Sequence, residues 1–213
     1  MTKTLRGTEV LRNLSFDQPK GSIYGISGDN GAGKSTLLKI LASVLVPDGG
    51  QISYSGIPLS GRARWRSLIG YVPQEIALDD RLRVRETLEF WAAVRGMPAS
   101  IRRELVKTAM GDPLIADFVD KALRECSGGM ARRVSLVVGL FGDPALLLLD
   151  EPFSGADAHS RSLMMERLRH LRDRGRTILV ASHVENTLTA LCDRVLHLEG
   201  GHFPDSNPGV AAL

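Results

Sequence analysis

The chain has 213 residues, a formal net charge of +3, 43% hydrophobic residues and 24% charged residues. That length suits one domain of ordinary size with a packed core and excludes two complete enzymes. The composition is close to the globular average, which excludes disordered and low-complexity chains, and the net charge is too small for a dedicated nucleic-acid binder.

Membrane-spanning, secreted and disulfide-rich classes are also disfavoured. No apolar run approaches the roughly 18 residues that a bilayer-spanning helix needs. Residues 1–15 are polar and lack the apolar core of a signal peptide, so we expect a cytoplasmic location. Cys126 and Cys192 are too few and too far apart for a disulfide framework or a zinc ligand set.

The first half of the chain begins with a predicted strand, loop and helix. A buried strand over residues 22–27 follows a turn and leads into a glycine-rich loop and a helix over residues 34–46. A short strand is predicted over residues 69–72. Residues 79–142 are predicted to be mainly helical, because apolar side chains recur there at helical spacing, as at Val84, Leu88, Trp91 and Ala92.

Strand and helix patterns alternate again from residue 145 onward. The pattern predicts strands over residues 146–149, 177–181 and 194–198, with helices over about 159–174 and 185–191 between them. Such alternation implies a mostly parallel sheet flanked by helices, into which the central helical stretch is inserted.

The glycine-rich loop has a phosphate-binding pattern, GxxxxGK followed by Ser or Thr. The matching residues are Gly28, Asp29, Asn30, Gly31, Ala32, Gly33, Lys34 and Ser35. In this pattern backbone N–H groups surround phosphates, the lysine reaches the outer ones and the serine holds Mg²⁺. The alternative, an ordinary glycine-rich turn, is disfavoured because the required strand and helix flank the loop.

Polar residues follow three predicted strands. Asp150 and Glu151 end an apolar strand, which would place Asp150 near a metal and Glu151 near an attacking water. His183 follows the next strand, where it can contact the γ-phosphate and orient water. Gln74 follows the strand over residues 69–72, and its amide can bind Mg²⁺ or water. Taken singly, each has a plain structural explanation, and the phosphate loop favours the functional one.

A second phosphate site is predicted at Ser127, Gly128 and Gly129, which precede a helix. Two glycines let a phosphate approach the backbone, and a helix N-terminus presents free N–H groups. One nucleotide held by Lys34 does not need this second site, so a head-to-tail dimer that shares nucleotides is the economical arrangement. The alternative is a glycine-containing N-terminus of a helix that is merely packed.

Together these residues resemble the ATP-binding cassette (ABC) ATPases, from residue 11 to about residue 201. By that resemblance, residues 28–36, ending in Thr36, are the Walker A loop, and Gln74 is the Q-loop glutamine. Residues 126–130 are the signature, Asp150 is the Walker B aspartate and Glu151 is the catalytic base. Asp157 closes the D-loop, His183 is the switch histidine, and the cofactors are ATP and Mg²⁺.

The resemblance also implies a fold and a domain plan. The fold is the α/β, P-loop NTPase type, with a mostly parallel sheet core, an inserted helical subdomain and a small antiparallel β part. We expect a single ABC ATPase domain over residues 1–213, with a nucleotide-binding core over about 1–78 and 144–213. The helical subdomain covers about 79–143.

The function implied by the resemblance is that of the ATP-binding subunit of an ABC transporter. ATP binding would close a homodimer or heterodimer, and hydrolysis would reset it. A separate integral membrane permease would dock at the helical insertion and the Gln74 region, holding the subunit on the inner face of the cell membrane. The signature sequence Cys-Ser-Gly-Gly-Met is similar to that of export-type cassettes. No nucleic-acid partner is expected.

Two other functions fit the sequence less well. A soluble ABC ATPase acting on DNA or ribosomes usually carries a second cassette or a long coiled coil, and neither is evident. A nucleotide-binding regulator with little turnover would not need Glu151 and His183 directed at water. The family usually stacks adenine on an aromatic side chain where this chain has Leu5, so stacking is expected to be lost or replaced by apolar contact.

Overall fold

The computed structural model describes residues 1–204; residues 205–213, the end of the predicted domain, lie outside this range. The strands are β1 (Lys3–Leu5), β2 (Thr8–Leu11), β3 (Ile23–Ser27), β4 (Ser53–Tyr54), β5 (Ile57–Pro58), β6 (Ile69–Val72), β7 (Leu146–Asp150), β8 (Thr177–Ala181) and β9 (Arg194–His197). The helices are α1 (Lys34–Leu41), α2 (Arg62–Leu68), α3 (Val84–Val94), α4 (Ala99–Met110), α5 (Gly128–Gly139), α6 (Ala158–Asp173) and α7 (Glu185–Leu191).

The largest sheet has five strands in the order β6-β7-β8-β3-β9, and all its pairs are parallel. Its central strands read as continuous apolar runs because helices cover both faces, and every residue of β3, β7 and β8 is buried. Two antiparallel pairs, β1-β2 and β4-β5, form the small β part. The predicted fold class is confirmed.

Register brings the carboxyl ends of four strands to one edge of this sheet. Ala181 of β8 lies opposite both Ile26 of β3 and Asp150 of β7. Val72 of β6 lies opposite Leu149 of β7. The segments that follow these strands therefore meet at the same edge, which is where open parallel sheets bind ligands.

Two apolar clusters fill the faces of the sheet. Alternate residues of β7 point to opposite faces, so Leu147 and Leu149 belong to one cluster and Leu146 and Leu148 to the other. The first cluster also contains Val84 and other residues of the helical insertion. The second contains α1 and Trp65 of α2. The helices of the insertion thus pack on one face, and α1 packs on the other.

The predicted helix over residues 34–46 is too long, because α1 ends at Leu41. Ser43 has a φ of +56°, in the left-handed region, and breaks the helix. The N–H groups of Val44 and Leu45 fold back to the Lys39 carbonyl. The remaining predicted strands and the helices after residue 145 are confirmed to within about one residue.

A search of the described residues for membrane spans finds no helix long and apolar enough to cross a bilayer.

Candidate functional site

The glycine-rich loop, residues 28–33, joins β3 to the first turn of α1. Gly28 has a φ of +140°, and a Cβ atom there would lie 2.3 Å from the carbonyl oxygen of Leu198. Only glycine fits, because other residues rarely adopt that φ and the opposing atom is backbone. The chain can therefore pass close to the end of β9 and enter α1, whose first N–H groups have no partner inside the helix.

Lys34 is the first residue of α1 and is only 7% exposed. Its ammonium group donates hydrogen bonds to the carbonyl oxygens of Gly28 at 2.6 Å and Asp29 at 3.0 Å. An ammonium group has three N–H donors, so one is left for another acceptor. A buried cation with a spare donor at a helix N-terminus suits an anion such as phosphate.

Asp150 ends β7 and is 1% exposed. One of its oxygens, Oδ1, accepts a hydrogen bond from the Ser35 hydroxyl at 3.1 Å. Burial raises the pKa of Asp150 above its ordinary value; the Ser35 hydrogen bond opposes this shift, and the nearby charge of Glu151 adds to it. A cation beside this carboxylate would stabilise its charged form.

Glu151 is the residue at which the chain turns away from β7. Its φ of +48° is left-handed, which is uncommon for a residue other than glycine and is typical of functional sites. Its Oε2 accepts from the Ser182 hydroxyl at 3.1 Å, and its Oε1 accepts from the His183 backbone N–H at 2.8 Å. The His183 ring nitrogen Nδ1 lies 2.8 Å from the same Oε1.

These contacts hold the Glu151 carboxylate in one orientation. An ionised carboxylate has about four lone-pair sites. Two donors approach Oε1 and one approaches Oε2, so Oε2 retains a site for a further donor such as water. Glu151 is 6% exposed and lines the same cavity as Lys34.

His183 lies on Glu151 and does not line the cavity beside Lys34. Because an ionised carboxylate only accepts, Nδ1 carries the proton in this contact, and Nε2 is unprotonated when the ring is neutral. The imidazole is about half exposed. The predicted contact between His183 and a γ-phosphate therefore remains a prediction, and the observed contact is with the candidate base.

The loop, α1 and the strand ends enclose a cavity of about 170 Å³, here called the Lys34 cavity. Its lining residues are Val10, Asn30, Gly31, Gly33, Lys34, Ser35, Thr36, Gln74 and Glu151. The structure thus brings the predicted phosphate loop, the Q-loop glutamine and the predicted base to one place. Gly28, Asp29 and Ala32 belong to the same loop without lining the cavity, and Asp150 contacts it through Ser35.

The structure does not bring the second predicted phosphate site into this cavity. That site, here called the helix tip, consists of Ser127, Gly128 and Gly129 at the start of α5. The Ser127 hydroxyl accepts from the Met130 N–H at 3.2 Å and so caps the helix. Ser127 and Gly128 are exposed, and none of the three residues lines the Lys34 cavity.

Asp157 is the N-cap of α6 and lies beside the helix tip. Its two carboxylate oxygens accept from the backbone N–H and the hydroxyl of Ser160, both at 2.8 Å. These hydrogen bonds lower the pKa of Asp157. A Cβ atom on Gly129 would lie 3.0 Å from Asp157 Oδ2. The predicted D-loop aspartate therefore packs against the signature glycines of its own chain.

Sequence reasoning missed three residues of this site: Val10, Ser182 and Arg132. Val10, at the end of β2, lines the Lys34 cavity, whereas the half-buried Leu5 of β1 does not. For Ser182, the only sign of a role in the site was its position between the end of β8 and His183. Arg132 had no signal in the local sequence, although it is 8% exposed and contacts the segments that carry Gln74 and Glu151.

The residues present fit a magnesium ion that a nucleotide brings with it. No group of three or more His, Cys, Asp or Glu side chains within residues 1–204 could hold a metal by itself. Mg²⁺ usually takes one or two protein ligands plus phosphate oxygens and water. The Ser35 hydroxyl, the Asp150 carboxylate at hydrogen-bond distance from it, and the amide of Gln74 supply such a set of oxygens.

Comparison with known proteins identifies relatives over most of the chain. A family model described as ABC transporter matches residues 11–154. Nod factor export ATP-binding protein I of Burkholderia orbicola (strain AU 1054) is 43% identical over 193 residues, which are 90% of this chain and 64% of that protein. The protein of the same name from Rhizobium meliloti (strain 1021) is 38% identical over 203 residues, 95% of this chain and 61% of that protein.

The chain therefore spans less than two thirds of the length of these curated relatives. Among solved structures, cbiO1 from Clostridium perfringens, described as part of the ABC transporter complex cbiONQ, superposes with a TM-score of 0.84. It is 28% identical, and the match covers 95% of this chain and 83% of that one.

Proposed function

This chain belongs to the ABC transporter family, and from that premise we propose that it is an ATP-hydrolysing subunit that drives a transporter. The observation that carries the proposal is the Lys34 cavity, where a phosphate loop and an oriented carboxylate, Glu151, line the same space. Three hydrogen-bonding contacts hold the Glu151 carboxylate in this cavity. A protein that only senses nucleotide would not need such an oriented proton acceptor.

In the proposed complex the triphosphate lies along the loop over residues 28–33 and the first turn of α1. Free N–H groups at the start of the helix donate to its oxygens, and Lys34 supplies its third donor. The apolar side chain of Val10 is the cavity residue best suited to contact the base or sugar. Ser35, Asp150 and Gln74 would hold Mg²⁺, and the ion would neutralise phosphate charge.

Glu151 acts as the general base in this proposal. Water attacks the terminal phosphorus while the bond to the bridging oxygen breaks, giving ADP and inorganic phosphate. The water proton passes to Oε2 of Glu151, the oxygen with a free acceptor site. Ser182 and His183 hold the carboxylate so that its lone pair faces the cavity.

The helix tip serves a second copy of the chain, or a related subunit, in the same proposal. Within one chain the tip is exposed and outside the Lys34 cavity, although its N–H groups suit a phosphate. Two subunits arranged head to tail would bring each tip to the cavity of the other. Each nucleotide would then lie between Lys34 of one subunit and Ser127 of the other.

A membrane permease in a separate chain is the proposed partner. Exposed apolar side chains lie on the helical insertion and after Gln74, at Ile76, Phe90, Val94 and Ile101. They support docking in this region, which would hold the subunit at the inner face of the membrane. Both reported relatives are named export ATP-binding proteins, which supports export over action on DNA or ribosomes.

Replacing Glu151 with glutamine tests the proposed chemistry. We expect Glu151→Gln to bind ATP and to lose about 100-fold or more of the steady-state ATPase rate, because a general base is removed. A phosphate-release assay measures the rate, and titration with a fluorescent ATP analogue measures binding. Glu166→Gln, an exposed site on α6, is the matched control. An unchanged rate in Glu151→Gln would refute the assigned role.

A further inference from the structure

Arg132 is a buried cation that lies one turn beyond the helix tip, on α5. Its Nε donates to the carbonyl oxygen of Ser154, and a terminal guanidinium nitrogen donates to the carbonyl oxygen of Pro73, both at 3.4 Å. These are long hydrogen bonds, and the charge of the guanidinium strengthens them. A single side chain thus contacts two segments that are far apart in sequence.

Both segments carry residues of the Lys34 cavity. Pro73 immediately precedes Gln74, and Ser154 closes the turn that starts at Glu151, whose carbonyl accepts the Ser154 N–H. Arg132 itself does not line the cavity. It therefore contacts the backbone that positions the cavity side chains and leaves those side chains free for a ligand.

The start of α5 is packed against the same turn. A Cβ atom on Gly128 would lie 3.6 Å from the Gly155 carbonyl oxygen, an ordinary van der Waals distance, so the two segments are neighbours. Together with the Arg132–Ser154 hydrogen bond, this contact fixes the helix tip relative to the turn that follows Glu151. If the helix tip moves while these contacts persist, the turn that follows Glu151 must move with it.

Charge explains why an arginine is tolerated at this buried position. Burial lowers the pKa of Arg132, and the negative charges of Glu151 and Asp150 oppose that shift. The cation is therefore compensated by the two carboxylates of the site as well as by the carbonyl oxygens. A neutral side chain of similar length would fill the space without bridging the two backbones.

We propose that Arg132 is a positioning residue that couples the helix tip to the Gln74 and Glu151 segments of its own chain. The proposal rests on the proposed function, because it assumes that the tip meets a nucleotide held by another subunit. Docking of that nucleotide on Ser127 and Gly128 would then be transmitted through Arg132 to the base and to the glutamine. Arg132 acts through these residues and does not touch the substrate.

The neighbouring Arg133 provides a matched control on the same helix. It is 7% exposed, as buried as Arg132, but its guanidinium lies 4.8 Å from the centre of the Phe118 ring. This contact with Phe118 involves neither Pro73 nor Ser154. Loss of Arg133 should therefore disturb the helical insertion without releasing the two segments of the Lys34 cavity.

Three variants, Arg132→Met, Arg132→Lys and Arg133→Met, test the proposal by two readouts. The first is hydrogen–deuterium exchange of the nucleotide-free protein, followed in peptides that cover residues 73–76 and 152–157. We expect faster exchange in both peptides for Arg132→Met, and in peptides around Phe118 for Arg133→Met. This readout does not depend on ATP hydrolysis, so it tests the coupling even if the proposed function is wrong.

The second readout separates kcat from KM. Arg132→Met is expected to lower kcat by about 10- to 100-fold, the range that follows from misplaced catalytic groups, with KM for ATP within about 3-fold of wild type. Arg132→Lys keeps the charge but has one nitrogen in place of the two that reach Ser154 and Pro73. Its kcat should therefore lie between those of wild type and Arg132→Met. Arg133→Met should keep kcat within about 3-fold.

Several results would overturn the proposal. Exchange at residues 73–76 and 152–157 that is unchanged in Arg132→Met would show that the side chain does not hold these segments. Wild-type kcat in Arg132→Lys would show that the bridge between the two carbonyls is unimportant. Equal losses in Arg132→Met and Arg133→Met, with the same exchange pattern, would assign both residues to general stability of α5.

Discussion

At the residue scale, the site depends on a few atoms held at fixed places by their neighbours. The spare donor of Lys34 and the free acceptor site of Glu151 are defined by the hydrogen bonds that each side chain already makes. At Gly129 the important feature is instead the absence of a side chain. Its Cα approaches α6 so closely that no other residue fits without movement.

Gly129→Ala tests this close approach. The added Cβ would lie 2.9 Å from Ser160 Oγ and 3.0 Å from Asp157 Oδ2, which are hydrogen-bonded to each other. Either this pair of side chains or the start of α5 must therefore move. We expect a loss of about 1–3 kcal/mol in the free energy of unfolding, typical of overpacking, together with reduced ATPase activity. Urea denaturation measures the first quantity.

Gly111→Ala is the control for this variant, since its Cβ would meet only the Thr108 carbonyl oxygen at an ordinary 3.5 Å. It should change stability by less than about 1 kcal/mol. Equal stability of Gly129→Ala and wild type would contradict the packing described for the helix tip.

Local motifs indicated Lys34, Asp150 and Glu151 as candidate site residues, because each lies in a recognisable pattern after a buried strand. The structure places Lys34 and Glu151 in one cavity and Asp150 beside it. The motifs could not predict Arg132 or Ser182, whose roles come from contacts with Pro73, Ser154 and Glu151 across the fold. They also did not predict that His183 would lie on Glu151. These contacts depend on the geometry of strand ends, which a single sequence does not specify.

At the element scale, the apolar runs identified the buried strands almost to the residue, since β6, β7 and β8 are covered on both faces. The end of α1 was harder to predict. The stretch after Leu41 keeps an apolar composition, yet Val44 and Val46 are exposed and the chain turns at Ser43. A residue of another element also contacts the end of this helix, because Trp65 of α2 donates a hydrogen bond to the Leu41 carbonyl.

Trp65→Phe tests that interaction. The indole N–H donates to the Leu41 carbonyl at 2.6 Å, at the open C-terminal end of α1. Phenylalanine keeps most of the buried ring but leaves that carbonyl without its donor, so we expect a loss of about 1–3 kcal/mol in the free energy of unfolding. Thermal and urea denaturation give the value.

Trp91→Phe serves as the comparison for Trp65→Phe. Trp91 is partly buried and packs edge-on against Phe90 at a centroid distance of 5.6 Å, and no hydrogen bond of its indole is recorded among residues 1–204. Its replacement should cost less than that of Trp65. The opposite ranking would show that ring packing, rather than the bond to Leu41, accounts for the stability contributed by Trp65.

At the scale of the whole molecule, the alternation of strands and helices predicted the parallel sheet and the position of the helical insertion. The insertion nevertheless shares an apolar cluster with the sheet, through residues such as Val84 and Leu147. Two places suited to phosphate, the Lys34 cavity and the helix tip, lie apart in one chain. Neither composition nor periodicity gives the arrangement of two copies, so the proposed sharing of nucleotides between subunits requires a measurement on the assembled protein.

Sedimentation velocity of Glu151→Gln, with and without magnesium and ATP, tests the proposed sharing most directly. We expect a monomer without nucleotide and a dimer with it, because hydrolysis no longer separates the subunits. Adding Ser127→Arg to the same variant should keep the protein monomeric while ATP still binds at Lys34. A Glu151→Gln protein that binds magnesium and ATP and sediments as a monomer would contradict the account.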